Sequence, residues 1–149
     1  MNNLLQSRLF DEKSFYSQFI DDLLGCKNEI IIESPFITSS RMNGFRSVFK
    51  KIVEKGIKVY VFTRDPREHD YEMAYQAEME IQNFEKIGVQ TLLCTGNHHR
   101  KLAILDRRIL WEGSLNILSQ AYSREIMRRI ENEDIATQTF DFLQFQNFL

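Results

Sequence analysis

Two side chains suited to proton and phosphate chemistry, His99 and Lys101, stand one residue apart at the head of an apolar run, His98-His99-Arg100-Lys101-Leu102-Ala103-Ile104-Leu105-Asp106. Read as a strand, the run alternates faces, so His99 and Lys101 project together while Leu102 and Ile104 point the other way. An imidazole titrates near neutrality and serves as nucleophile or general acid/base, and an ammonium is a point charge for phosphate oxygens. The pair suits attack on phosphorus. After six intervening residues, Asp106 is followed by Gly113-Ser114-Leu115-Asn116. Gly113 permits a tight turn or a close backbone approach, and Ser114 and Asn116 offer neutral donors for oxygens on which charge builds. Asp106 has the wrong parity to meet His99 on a regular strand, so it is expected to fix the turn or orient a neighbour. His98 has the wrong spacing too and reads as structural or as a substrate contact.

The net charge of -2, from 19 basic and 21 acidic residues, announces no polyanionic or membrane partner. Its distribution is uneven. From His99 to Arg129 seven basic residues face three acidic ones, whereas Glu68 to Ile87 holds six acids and one lysine. An anionic substrate is expected to be drawn to the basic segment, with Arg100, Arg124, Arg128 and Arg129 as candidate contacts. Cys26 and Cys94 form neither a disulfide framework nor a zinc motif. No apolar run approaches the length of a membrane span or a signal peptide, so a soluble cytoplasmic protein without membrane attachment is expected.

These residues need a scaffold. With 149 residues and 43% hydrophobic content, one domain spanning 1–149 is the simplest organisation. Phe15, Phe19, Ile20, Leu23 and Leu24 recur at helical spacing before Gly25, within a helix expected over 11–24. Glu29–Ser34 reads as a buried strand, Phe45, Val48, Phe49, Ile52 and Val53 as a helix stopped at Gly56, and Ile57–Phe62 as the next strand. That order predicts a crossover between parallel strands. A loop at Arg64–Arg67, a helix through Met73, Ala77, Ile81 and Phe84 to Gly88, and a strand at Val89–Cys94 follow. Lys101–Leu105 and Ile109–Glu112 then form a hairpin, with Trp111 in the core. The tail, with Phe140, Phe142, Phe145, Phe148 and Leu149, is expected to be buried as a helix on the sheet.

Taken together, His99-x-Lys101-x4-Asp106-x6-Gly113-Ser114-x-Asn116 resembles the signature of the phospholipase D superfamily at every specified position. The resemblance implies an α/β fold of the phospholipase D type, a mixed central sheet with helices on both faces. It also implies phosphodiester chemistry without a metal or other cofactor, through a covalent phosphohistidine. Members of the family bring two such motifs face to face; this chain has one, so the resemblance implies a homodimer sharing one site. His99, Lys101, Asp106, Ser114 and Asn116 would be its catalytic residues, with Arg100, Gly113, Arg124 and Arg128 toward substrate. A carboxylate that braces the histidine would be Glu125, with Glu131 and Glu133 as alternatives. The expected activity is a nuclease on DNA, or else RNA. The alternatives are hydrolysis of a phospholipid or other small diester, and a nucleic-acid-binding module that does not cut.

Overall fold

The computed structural model describes residues 6–119 and 122–149. A run of three isoleucines closed by carboxylates becomes β2 (Glu29–Glu33), buried at Ile30, Ile31 and Ile32 because it lies near the middle of the sheet with a layer on each face. It pairs in parallel with β3 (Lys58–Arg64), which pairs in parallel with β4 (Gln90–Cys94). On its other side the ladder turns antiparallel through β5 (Leu102–Leu105), β6 (Ile109–Gly113), β7 (Ile126–Glu131) and β1 (Gln6–Asp11). The spatial order is β1-β7-β6-β5-β2-β3-β4.

Three helices cover one face: α1 (Phe15–Leu24), α2 (Ser39–Glu54) and α3 (Tyr71–Ile87). Phe15, Phe19, Phe45, Phe49 and Phe84 from these helices pack with Ile30, Ile32, Val59, Val61, Ala103 and Trp111. The opposite face is covered by α4 (Glu133–Phe142) and a short turn at Phe145–Asn147, whose Phe140 and Phe145 meet Ile31, Phe62, Leu102, Ile104 and Leu110. The mixed sheet with helices on both faces is therefore present as expected.

Several boundaries differ from the sequence reading. The N-terminal helix starts at Phe15, because Asp11 closes β1 and its carboxylate accepts from the backbone of Lys13 and Ser14. β1 and β7 were not anticipated. Both are rich in charged and polar residues, and their apolar positions are too sparse to show a period-2 signal. Arg64 ends β3 instead of opening a loop. The tail helix begins earlier than its phenylalanines imply, and Phe142 and Phe148 stay exposed while Phe140 and Phe145 are buried.

Gly113 has a steric cause. A Cβ on it would lie 2.1 Å from the Ile126 carbonyl oxygen and 2.9 Å from the Met127 Cα, so β7 crosses where any side chain would stand. The close approach expected at this glycine is made by the neighbouring strand. Gly113→Ala is expected to force β6 and β7 apart at a cost of about 3 kcal/mol, read as a lower midpoint in urea denaturation.

Candidate active site

The motif gathers at one end of the sheet. Because β5 runs antiparallel to β2, the residues just before Leu102 lie beside Glu33 at the end of β2, next to the end of β3 at Arg64. β6 ends there at Gly113, and β7 starts there at Ile126. His99 and Lys101 precede β5 in an irregular segment, where the sequence suggested continuous strand from Lys101. They still come together. Lys101 Nζ lies 2.8 Å from His99 Nδ1 and donates to the His99 carbonyl oxygen at 2.8 Å.

The segment is tied down by its neighbours. Arg100 makes a two-pronged contact with the fully buried Glu33, at 2.8 and 2.7 Å. His98 Nε2 lies 3.6 Å from the same carboxylate, and Arg64 Nε donates to the His98 carbonyl at 3.0 Å. Arg100 is thus engaged with a buried carboxylate and acts as an anchor for the segment that carries His99, while its side chain stays half-exposed. Burial, helped by the Arg100 and Arg64 charges, pushes His98 down to about 4. That outweighs Glu33, whose charge Arg100 already engages. His98 is therefore a neutral packing residue at pH 7.

Asn116 is placed by three elements remote in sequence. The Tyr16 hydroxyl of α1 donates to the Ile117 carbonyl at 2.8 Å, and Leu118 N–H donates to Ser34 Oγ at 3.1 Å. Thr38 N–H, before α2, donates to the Leu118 carbonyl at 3.0 Å. Ser114 Oγ accepts from Ile126 N–H at 3.0 Å, which joins the start of this loop to β7. Asn116 shares a small pocket with Glu12, Tyr16, Arg41, Ser119 and Glu125. Arg41 lies 3.6 Å from the centre of the Tyr16 ring. Tyr16 and Arg41 escaped the sequence reading, since Tyr16 sits among ordinary core positions and Arg41 in a polar first helical turn.

Glu125 is the carboxylate of the three candidates that reaches the site. Glu131 binds Arg129 at the far end of β7, at 3.1 Å, and Glu133 opens α4 beyond it. The hydroxyls of Ser114 and Ser123 hold Glu125 below the ordinary carboxylate range, and Lys101 adds to the effect. Its backbone N–H donates to Glu12 at 2.7 Å. No hydrogen bond joins it to the His99 ring among the described residues, so within one chain it faces Lys101 instead of bracing the imidazole. Charge acts on the pair in both directions. Lys101 is the chief cause holding His99 below its ordinary value, and burial lowers Lys101 itself against the pull of Glu125. The imidazole is consequently neutral near pH 7 and has a lone pair to offer.

Asp106 belongs elsewhere. It follows the other end of β5, roughly 16 Å of strand from Lys101, where its carboxylate accepts from the backbone N–H groups of Lys27, Asn28 and Glu29 at 2.8 to 3.0 Å. It ties the loop before β2 to the hairpin, the turn-fixing role expected of it, and lies away from His99 and Lys101. The basic segment is dispersed as well. Arg107 pairs with Glu29 at that far end, and Arg129 is buried against Asp22. Arg128 Nη1 donates to Ser7 Oγ at 2.6 Å across the β1–β7 pair, and Arg124 is exposed just before Glu125. Arg129 is therefore committed to Asp22 away from the motif, and of the candidate arginines only Arg124 flanks the site without a hydrogen-bonded partner among the described residues.

A family model described as "Cardiolipin synthase, PLD-like domain" matches residues 19–144. The chain belongs to the phospholipase D superfamily. Solved structures of the fold agree. Nuc of Salmonella typhimurium, a phospholipase D family member, superposes with a TM-score of 0.74 at 15% identity, covering 95% of this chain and 93% of that one. NucT from Helicobacter pylori gives 0.69 at 17% identity, over 95% and 94%. Phosphatidylserine synthase of Haemophilus influenzae gives 0.64 at 14% identity, with 99% of this chain covering 39% of the synthase. No curated protein sequence matches this one. Among the described residues no helix of this phospholipase D superfamily member is long and apolar enough to cross a membrane.

Proposed function

We propose that this phospholipase D superfamily member is a metal-independent phosphodiesterase, a nuclease that cleaves DNA through a phosphohistidine in a site shared by two copies of the chain. The observation that carries the reading is the His99–Lys101 contact, a neutral imidazole beside an ammonium at the sheet end where Asn116 is also held. Lys101 and the Asn116 amide would hold non-bridging oxygens, with Ser114 fixing the loop between them. As the phosphate draws Lys101 off Nδ1, the ring proton can rest there and leave the Nε2 lone pair for attack. A P–N bond forms as the P–O bond to the leaving nucleoside breaks, and the departing oxygen takes a proton from the partner subunit's His99, which enters this step as the imidazolium beside the bound phosphate anion and is left neutral. Water then attacks phosphorus, its proton passes to the partner subunit's His99, and the P–N bond breaks.

One chain supplies one His99 and one Lys101, so the scheme needs a symmetric dimer with both imidazoles flanking one phosphate. Nucleic acid is favoured by the names of two fold neighbours, and phospholipid is the second reading, favoured by the description of the matching family model. Sedimentation combined with cleavage assays tests the proposal. A dimer that degrades DNA equally well in excess EDTA, which strips any bound divalent ion, is expected, and phosphatidyl diesters are expected to be poor substrates. A strict monomer, or loss of cleavage on chelation, would defeat it.

A further inference from the structure

Arg64 is the cation of this sheet end that neither the motif nor the sequence reading singles out. Its Nε donates to the carbonyl of His98, the residue before His99. Its guanidinium lies over the Phe36 ring, 5.0 Å from the centroid, and Phe36 stacks in turn on His69 with centroids 5.0 Å apart and planes 26° from parallel. The plane of the guanidinium is thus fixed from two directions. The nearby carboxylates are already engaged, Glu33 by Arg100 and Asp65 by Arg67, and among the described residues Arg64 forms no ion pair. By contrast Arg46, Arg107 and Arg129 each bind a carboxylate. Its charge is felt in the site, being among the causes that lower both His99 and Lys101.

A preorganised guanidinium with unclaimed donors matches the oxygens of a phosphate. β2 lies between β5 and β3, so the backbone of Arg64 stands about two strand spacings, roughly 10 Å, from that of the Lys101 segment. From there its donors address a phosphate beside the one under attack. We propose that Arg64, backed by the Phe36–His69 stack, forms a second phosphate subsite that takes the phosphate adjacent to the scissile one in a polynucleotide. This rests on the phosphodiesterase reading above and narrows its substrate class, since a diester with a single phosphorus leaves the subsite unfilled.

The test compares wild type, Arg64→Gln and Arg64→Lys. Binding of a fluorescein-labelled single-stranded oligonucleotide is followed by anisotropy against salt in the His99→Ala background, and kcat/KM is measured on the oligonucleotide and on bis(p-nitrophenyl) phosphate. Loss of one phosphate contact lowers the slope of log K against log salt by about 0.7 in Arg64→Gln, and Arg64→Lys retains the slope. The fall in kcat/KM on the oligonucleotide is expected to exceed that on the small diester by about tenfold or more. An unchanged slope, or equal losses on both substrates, would overturn the subsite and leave Arg64 as a tether of the His98 carbonyl. Arg64-dependent binding without turnover of any diester would instead sink the hydrolytic reading and leave the subsite standing. Turnover of the small diester with oligonucleotide binding indifferent to Arg64 would do the reverse.

Discussion

Replacing His99 with alanine is expected to abolish phosphodiester turnover, by about 10⁴-fold or more, because the proposed mechanism has His99 form the covalent bond and nothing nearby replaces it. The scaffold should not notice. His99 is largely exposed, its ring is hydrogen-bonded to Lys101 alone among the described residues, and the tethers of its segment run through His98, Arg100 and Arg64. The variant should therefore keep its thermal midpoint and its affinity for oligonucleotide. Freed from the imidazole, Lys101 remains available to phosphate oxygens. Single-turnover assays by gel, with anisotropy on the same preparation, separate these quantities. Activity equal to wild type would rule out His99 as the nucleophile.

The largest effect on stability is expected at a residue that has no part in the chemistry. Asp22, near the end of α1, accepts from Trp111 Nε1 at 2.9 Å and from Arg129 at 2.7 and 2.9 Å, all in the interior. Asp22→Ala leaves a buried guanidinium with only the half-exposed Glu131, and strips the indole of its acceptor. Removing one partner of a buried ion pair costs about 3–5 kcal/mol. For a chain of this size that corresponds to a fall of about 10 °C in the melting temperature. Calorimetry of the variant measures it. A drop of only a degree or two would mean that Glu131 and solvent take over the pairing.

The contrast between these two residues shows what the sequence made readable. The parallel core was legible because Ile30–Ile32, the Phe45–Val53 stripe and the positive-φ glycines Gly56 and Gly88 each carry a local signal of pattern or backbone geometry. The pairing of His99 with Lys101 was legible from their spacing, even though both lie just outside β5. Asp106, Arg129 and Asp22 were not. Their partners lie some 78, 107 and 89 positions away along the chain, so only the tertiary fold decides whether such a charge faces substrate, a backbone amide or another charge. The dispersed basic segment failed for the same reason. Gly113 was read correctly as a place of close approach, but nothing local could say that the approaching backbone is β7.

The irregular stretch 98–101 has a consequence for how this architecture diversifies. A nucleophile inside the ladder would share its position with every neighbouring strand, and any adjustment would propagate through the register. Here the imidazole hangs on a short span whose placement is governed by a few side chains, Glu33, Arg64 and Arg100, at the rim of an otherwise rigid sheet. Sequence drift at those three positions can re-aim the imidazole by small amounts while the core stays as it is. Under the proposed mechanism, catalytic tuning and folding would then fall to different residues.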